Sequence, residues 1–418
     1  VMSTETEPKG VQVPPTIDEY PFGAPPKDLP AFEPAPLERA RDRNGFEIQT
    51  IDFSVGRDRK RFMDVPDPLY AGDPNHIAPL RIDQAKFLNP EKNKAFRYLD
   101  VRAFIAVKDG RDVGRLTVQV DHEYERHNQK RVGFFGFFEC VDDRRVAHAL
   151  LDDGFRWLQA QGCVEVFGPA NFTLNHQAGC IVDNFSRPPM IEEGYNPRYH
   201  QDLYTSFGLG KAKDLYIWWI DLADGIDTPK RRRIAKIADR VRNREGVVLR
   251  TGRIKEIDRE IGRIFDIYVQ AWEKNWGFAP PLREEFLDLA EPMKQIVLPD
   301  LALFVEVEGK PVAFSLTLPN VNEKLPKNGR LFPFGWTRLF NLKKTETGRL
   351  WTLGTIPAFR KRGLESMMFI ETVKNCRKNG IMGGEIGWTL EDNYLINRAI
   401  ESMEGRLDRT YRVYGMTL

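Results

Sequence analysis

Alternating apolar and polar positions mark strands along this chain, and apolar residues three and four apart mark helices. By that pattern 101–107 reads as a strand, the turn Lys108-Asp109-Gly110-Arg111 reverses the chain, and 112–120 is a second strand. A densely aromatic strand follows at 131–140, with Phe134, Phe135, Phe137 and Phe138. Next comes a helix at 142–161, with Asp142 or Asp143 placed to cap its start and Gly162 to stop it, and then a strand at 164–167. The second half repeats the order. It reads as a helix at 255–272, a hairpin 301–307 and 311–318 about Gly309, a strand at 349–355, a helix at 362–379 and a strand at 384–389. A short helix at 395–402 and a strand at 410–414 close the chain. The order predicts an α/β (mixed α+β) protein with two tandem copies of one fold, each a mixed, mostly antiparallel sheet flanked by helices.

Between and before these halves the pattern breaks. Residues 1–45 are rich in proline and poor in periodicity, which predicts a flexible arm. The seam falls at 222–245, a basic linker helix, leaving domains at 46–221 and 246–418. Lys and Arg number 62 against 60 Asp and Glu, a net charge of +2 that points to no polyanionic partner; no nucleic-acid reading motif is present and none is expected as a partner. The four cysteines (Cys140, Cys163, Cys180, Cys376) share no paired spacing, so neither a disulfide frame nor a metal site is expected. No run reaches the length of a membrane span and no leader pattern opens the chain, which predicts a cytoplasmic protein. Lys230-Arg231-Arg232-Arg233 opens a helix with Ile234, Ile237 and Val241 on one side. The stretch 230–244 reads either as a packed linker or as a peripheral contact with an anionic inner-membrane surface.

The chemistry concentrates in one stretch. A strand carrying Leu353-Gly354-Thr355 ends at Pro357, a loop Arg360-Lys361-Arg362-Gly363-Leu364 follows, and a helix starts at once. Free N–H groups and the aligned dipoles at a helix start favour an anion. Gly363 permits close approach, and the cations add charge-assisted bonds. A pyrophosphate suits such a loop. Asn393 and Asn397, entering the next helix after the following strand, are expected to form the second wall of the same cleft.

This succession resembles the GCN5-related N-acetyltransferase (GNAT) superfamily, whose loop reads Arg/Gln-x-x-Gly-x-Gly/Ala. Arg360 and Gly363 match, and Glu365 replaces the last small residue. The likeness covers 246–418 by motif and 46–221 by element order only. Where a first-half loop is expected, Val141-Asp142-Asp143-Arg144-Arg145 offers an acidic turn that repels pyrophosphate, which predicts a degenerate copy. A narrower resemblance runs through Val132–Glu139, Gly168-Pro169-Ala170-Asn171, Tyr195-Asn196-Pro197, Ala271–Phe278 and Trp388–Asn393. These segments are similar to a bacterial group of tandem GNAT proteins that includes the ceramide synthases, which N-acylate a sphingoid base with a fatty acyl-CoA.

The resemblance implies acyl-CoA as co-substrate, bound by Leu353, Gly354, Thr355, Arg360, Lys361, Arg362, Gly363, Leu364, Asn393 and Asn397, and a long-chain amine as acceptor. It implies a backbone donor for the thioester oxygen from the strand before the loop, where Gly354 suits a bulge or a close approach. Glu385 is a candidate base, with Glu391 and Asp392 as rivals; His176 could act as base from the first half, and Tyr411 as acid. The aromatic surface of Phe134, Phe135, Phe137, Phe138, Trp218 and Trp219 reads as core or as a channel for an alkyl chain. Transfer of an acetyl group to a small amine or peptide, and CoA or nucleic-acid binding without turnover, remain the alternatives.

Overall fold

The alternating segment at 101–120 folds as a hairpin, turned by Asp109 and Gly110 at positive φ. The computed structural model describes residues 45–418, so the expected arm lies, apart from Gly45, outside the described residues. In chain order the strands are β1 (Phe46–Ile51), β2 (Leu99–Lys108), β3 (Arg111–Asp121), β4 (Gly133–Cys140), β5 (Glu165–Gly168), β6 (Cys180–Ile181) and β7 (Gly210–Asp221). They continue with β8 (Val247–Thr251), β9 (Ala302–Val307), β10 (Lys310–Pro319), β11 (Thr347–Thr355), β12 (Gly383–Leu390) and β13 (Arg406–Thr417). The helices are α1 (Gly56–Asp64), α2 (Pro66–Leu69), α3 (Arg81–Phe87), α4 (His122–Asn128), α5 (Arg144–Ala160), α6 (His200–Phe207), α7 (Pro229–Arg242), α8 (Ile257–Trp272), α9 (Arg283–Ala290), α10 (Leu364–Lys378) and α11 (Tyr394–Ser402). Pattern reading did not single out β7, because its run Leu215–Ile220 is covered on both faces and so lacks alternation.

Both halves carry the expected order, and their strands join in one 13-stranded sheet, β1-β2-β3-β4-β5-β13-β7-β12-β11-β10-β9-β8, with β6 pairing β13 off this path. The closing strands are exchanged. β7, the last strand of the first half, pairs with β12, while β13, the last of the second, pairs with β5 and β7. One face of β2–β4 is covered by α5, where Leu150, Phe155 and Leu158 meet Leu116, Val118 and Phe135. In the second half α10 packs Met367 and Ile370 against Val312, Leu350 and Ile386, and α8 covers the opposite face with Ile264 and Ile267 against Phe304 and Phe314.

Parallel strands β11 and β12 lie so close at their start that a Cβ on Gly384 would fall 1.9 Å from the Gly348 carbonyl oxygen. Gly384→Ala is therefore expected to cost about 3 kcal/mol by forcing the pair apart. The measurement is the urea midpoint; a midpoint equal to the parent's would show that the strands yield without strain.

Candidate functional site

β11 and β12 pair only from Thr347 to Leu350 against Gly383 to Ile386, although both strands run on to Thr355 and Leu390. Beyond that point the sheet opens into a cleft. Leu316 faces Thr352 and Thr317 faces Leu350, so Trp351 is an extra residue with no partner on β10. A β-bulge of this kind redirects backbone groups out of the ladder. The bulge lies at Trp351, not at Gly354, which pairs regularly with Phe314. Gly354 serves close approach instead: a Cβ there would sit 2.4 Å from Cζ3 of Trp272 on α8. Trp351, Thr352 and, from β12, Trp388 line a cavity of about 1340 Å³, and the buried Thr352 hydroxyl has no hydrogen-bond partner among the described residues.

The basic loop stands at the far end of β11. Gly363 (φ 79°) is the N-cap of α10 and no side chain caps that terminus. Lys361 (φ 60°) and Arg362 are exposed, and the Arg362 guanidinium stacks 4.6 Å above the Phe359 ring. Arg360, also exposed, donates to the carbonyls of Thr355 and Ala271, so it pins the end of α8 to β11. A cation that sequence reading did not connect to the loop arrives from beyond α7: Arg244 donates to the Arg362 carbonyl at 2.9 Å. Leu353 and Leu364 pack into the core beneath α10, and Thr355 is buried. Asn397 is enclosed, accepting from the Thr389 hydroxyl (2.7 Å) and donating to the Leu390 carbonyl (3.1 Å). Asn393 is the N-cap of α11, its N–H bonded to the same carbonyl at 3.0 Å. These two asparagines shape the turn after β12.

The first half has the same devices, filled by its own chain. Register slips between Arg115 and Thr117 put an extra residue in β4, and β4 pairs β5 only at Gly133 and Phe134 before diverging. Here the Phe137 N–H donates to Asn171 Oδ1 at 2.8 Å, and a Cβ on Gly136 would fall 1.9 Å from the Ala170 carbonyl oxygen. The α5 terminus is capped by the Asp143 carboxylate, which accepts from the Arg145 N–H at 3.0 Å. No anion is needed where a carboxylate already sits.

Across the cavity, first-half residues face the cleft. His176 Nδ1 lies 3.1 Å from the Thr173 hydroxyl and its Nε2 lies 3.3 Å from Glu285 Oε1. Tyr98 donates to the other Glu285 oxygen at 2.6 Å, and the Phe87 ring meets the imidazole edge-on. Beside it Asn175 accepts from the Tyr268 hydroxyl at 2.9 Å, and Tyr268 packs on Trp272, the residue lying against Gly354. A continuous chain of contacts thus links His176 to β11. Buried Asp121 belongs to the same charged neighbourhood. Burial pushes its carboxyl up to about 7, Glu285 and Glu123 add to the rise, and the N–H bond from Tyr124 opposes it. Glu285, Tyr98 and Tyr268 were missed from sequence because no local spacing joins residues so far apart.

Glu385 and Tyr411 sit elsewhere. Neither lines the cavity. Glu385, 1% exposed, is ion-paired to Arg187, lies 4.0 Å from Arg409 and neighbours Glu193. Burial raises its carboxyl well above the usual range, the Glu193 charge adds to this, and Arg187 opposes it. The Tyr411 hydroxyl donates to the Gly194 carbonyl at 2.9 Å, and burial keeps it protonated. From this cluster Arg349 and Glu193, 3.3 Å apart, reach the cavity wall. Asp392 and Glu391 are taken up by Lys213 and Lys211. Of the six aromatic residues expected as core or channel, only Phe137 and Phe138 line the cavity; Phe134, Phe135 and Trp218 pack in cores and Trp219 stacks under Arg187. Arg231 is 3% exposed and latches to the carbonyls of Asp221, Gly225 and Met403, while Ile234, Ala238 and Val241 of α7 turn toward α10. Among the described residues no group of three His, Cys, Asp or Glu could hold a metal, and no helix is long and apolar enough to cross a membrane.

No family model matches the chain. It is 32% identical over 386 residues to the bacterial ceramide synthase of Caulobacter vibrioides, spanning 90% of this chain and 99% of that one. It is 30% identical over 370 residues to protein YghO of Escherichia coli, spanning 87% and 93%. A tandem GNAT protein from the clavulanic acid biosynthesis pathway superposes with a TM-score of 0.54 at 10% identity, covering 89% of this chain and 98% of that one. A GCN5-related glucosamine N-acetyltransferase region of a fungal multi-domain β-N-acetylglucosaminidase gives 0.52 at 13% identity, covering 89% and 38%. The fold is that of tandem GNAT proteins.

The raised Asp121 carboxyl has a consequence for stability. Its folded value of about 7 exceeds the ordinary 3.8, so it favours the folded state at low pH. That contribution is complete below the unfolded value and fades as pH rises through the folded one. Asp121→Asn keeps an acceptor for the Tyr124 N–H and removes the charge. Its Tm is expected to fall less than the parent's across that window, and parallel profiles would refute the assignment.

Proposed function

The chain belongs to the family of the bacterial ceramide synthase, and on that premise we propose that it moves a fatty acyl group from acyl-CoA to the amine of a long-chain sphingoid base, forming ceramide or 3-ketoceramide. The observation that carries this reading is the opened strand pair, bulged at Trp351, that faces a cavity of about 1340 Å³ lined by Ile261, Ile264, Phe286, Phe304 and Leu316. Each methylene buried there adds about 0.8 kcal/mol to binding, enough to favour a long chain over an acetyl group.

The reaction makes few demands. The amine nitrogen bonds to the thioester carbon, the carbon–sulfur bond breaks, and the thiolate leaves to take up a proton. In this reading the backbone freed at Trp351 supports the carbonyl oxygen as it gains charge. The uncapped start of α10, with Lys361 and Arg362, holds the pyrophosphate; the self-capped α5 explains why the first half does not compete. His176, held at Nδ1 by the Thr173 hydroxyl and with Nε2 beside Glu285 and free of a hydrogen bond among the described residues, takes the ammonium proton. Arg360 acts by fixing α8 to β11, and Glu385 by holding the Arg187 and Arg409 cluster behind the strands.

Incubating the protein with fatty acyl-CoA and sphinganine is expected to release free thiol and form an amide seen by mass spectrometry. Absence of amide at every chain length, or preference for acetyl-CoA on small amines, would defeat the proposal. His176→Ala is expected to lower kcat roughly a hundredfold or more while the KM for acyl-CoA holds. The double variant Lys361→Ala/Arg362→Ala is expected to weaken CoA binding about tenfold in calorimetry. Equal affinity would move the pyrophosphate to another surface.

A further inference from the structure

Four of the large apolar residues most open to solvent fall within nine positions of one surface loop: Phe332 (87%), Phe334 (76%), Trp336 (47%) and Phe340 (67%). The loop is held at its base. Lys327 and Gly329 carbonyls accept from the Ala78 and Arg81 N–H groups, Arg330 pairs with Asp67 at 3.0 Å, and Lys343 donates to the Val297 carbonyl. The tip is ordered from within, with Trp336 Nε1 donating to the Pro333 carbonyl and Trp336 packed edge-on against Phe340. So fixed a loop, with its rings turned outward, exposes apolar surface that water disfavours.

Two further observations say what covers it. From Arg330 to Lys344 the sequence contains four cations and no acidic residue; Arg330 is neutralised by Asp67, and Arg338, Lys343 and Lys344 carry the positive charge that flanks the rings. The loop also borders the cavity: Leu331, Leu339, Leu342, Lys343 and Lys344 line it, as does Ile82, itself 68% exposed, on the segment bonded to the loop base. Aromatic rings among cations fit the headgroup boundary of an anionic bilayer, where rings enter the interface and Lys and Arg meet phosphate. We propose that residues 330–344 dock on an anionic lipid surface and seat the mouth of the cavity against it. The contact differs from the one expected at 230–244, where much of the apolar side of α7 turns toward α10. Docking stands by itself; that a lipid amine enters by this mouth rests on the proposed acyl transfer.

The full chain is sedimented with vesicles of equal parts phosphatidylcholine and phosphatidylglycerol, and with phosphatidylcholine alone. The parent is expected to pellet with the anionic vesicles and to be released by salt. Phe332→Ser/Phe334→Ser is expected to lower partitioning about tenfold or more, whereas Phe332→Trp/Phe334→Trp retains it. Turnover of a short-chain, water-soluble amine is expected to be equal in parent and serine variant, so lost catalysis in both would fault the transfer reading and leave docking intact. Docking is overturned if the parent stays in the supernatant or the serine variant pellets equally. It is also overturned if that variant instead converts a dimer to a monomer in sedimentation velocity, which would make the loop a contact between two copies of the chain.

Discussion

Everything else in this structure depends on the pairing of β7 with β13. Each closes the other half's sheet, since β7 lies between β12 and β13 while β13 lies between β5 and β7. Neither half can complete its ladder alone, because its last strand would leave a row of buried N–H and C=O groups unmet. The halves are therefore bound by backbone hydrogen bonds rather than by a surface contact, and their cavity walls keep a fixed spacing. Behind the joint, Arg349 of β11, Glu385 of β12 and Arg409 of β13 meet Arg187 and Glu193 from a single loop. Buried charges so arranged are costly unless fully matched, which ties the geometry of the opened strands to that of the seam.

The two halves make the same local device and use it differently. In each, a bulge interrupts the strand before the helix and the next parallel strand diverges. In the first, Asn171 and Ala170 occupy the opening and Asp143 occupies the helix start. In the second, Trp351 and Gly363 leave both open. A few side chains thus decide which half keeps an open strand pair and which becomes a wall. The filled half contributes His176, Phe137 and Phe138 to the cavity that the open half reaches through Thr352 and Trp388. Division of labour follows from filling one site, with no change of fold.

This arrangement also gives meaning to residues that look like cofactor ligands in the sequence. Arg360 satisfies carbonyls of Ala271 and Thr355, and Asn397 satisfies Thr389 and Leu390. These bonds hold the walls in place, although Arg360 itself stays exposed. Lys361 and Arg362 are exposed beside it, and Arg244 donates to the Arg362 carbonyl. Positioning and contact are thus divided among neighbours in one short loop.

The sequence by itself determined the order of the central strands and helices of each half, though not β7, because strand and helix periods are local properties read over a few residues. It also marked the loop at Arg360–Leu364 and the acidic turn at Asp142-Asp143, since charge and glycine act within one turn of a helix start. Tertiary structure alone decided the exchange of β7 and β13, the bulge at Trp351, and the meeting of His176 with Glu285. Each depends on contacts between residues far apart in the chain, which no local period encodes. It likewise decided that Phe134, Phe135 and Trp218 fill cores while Phe137 and Phe138 face the cavity. The bulge in β4, with Phe137 at φ 48°, breaks the strand's alternation there, so the adjacent Phe137 and Phe138 both reach the cavity.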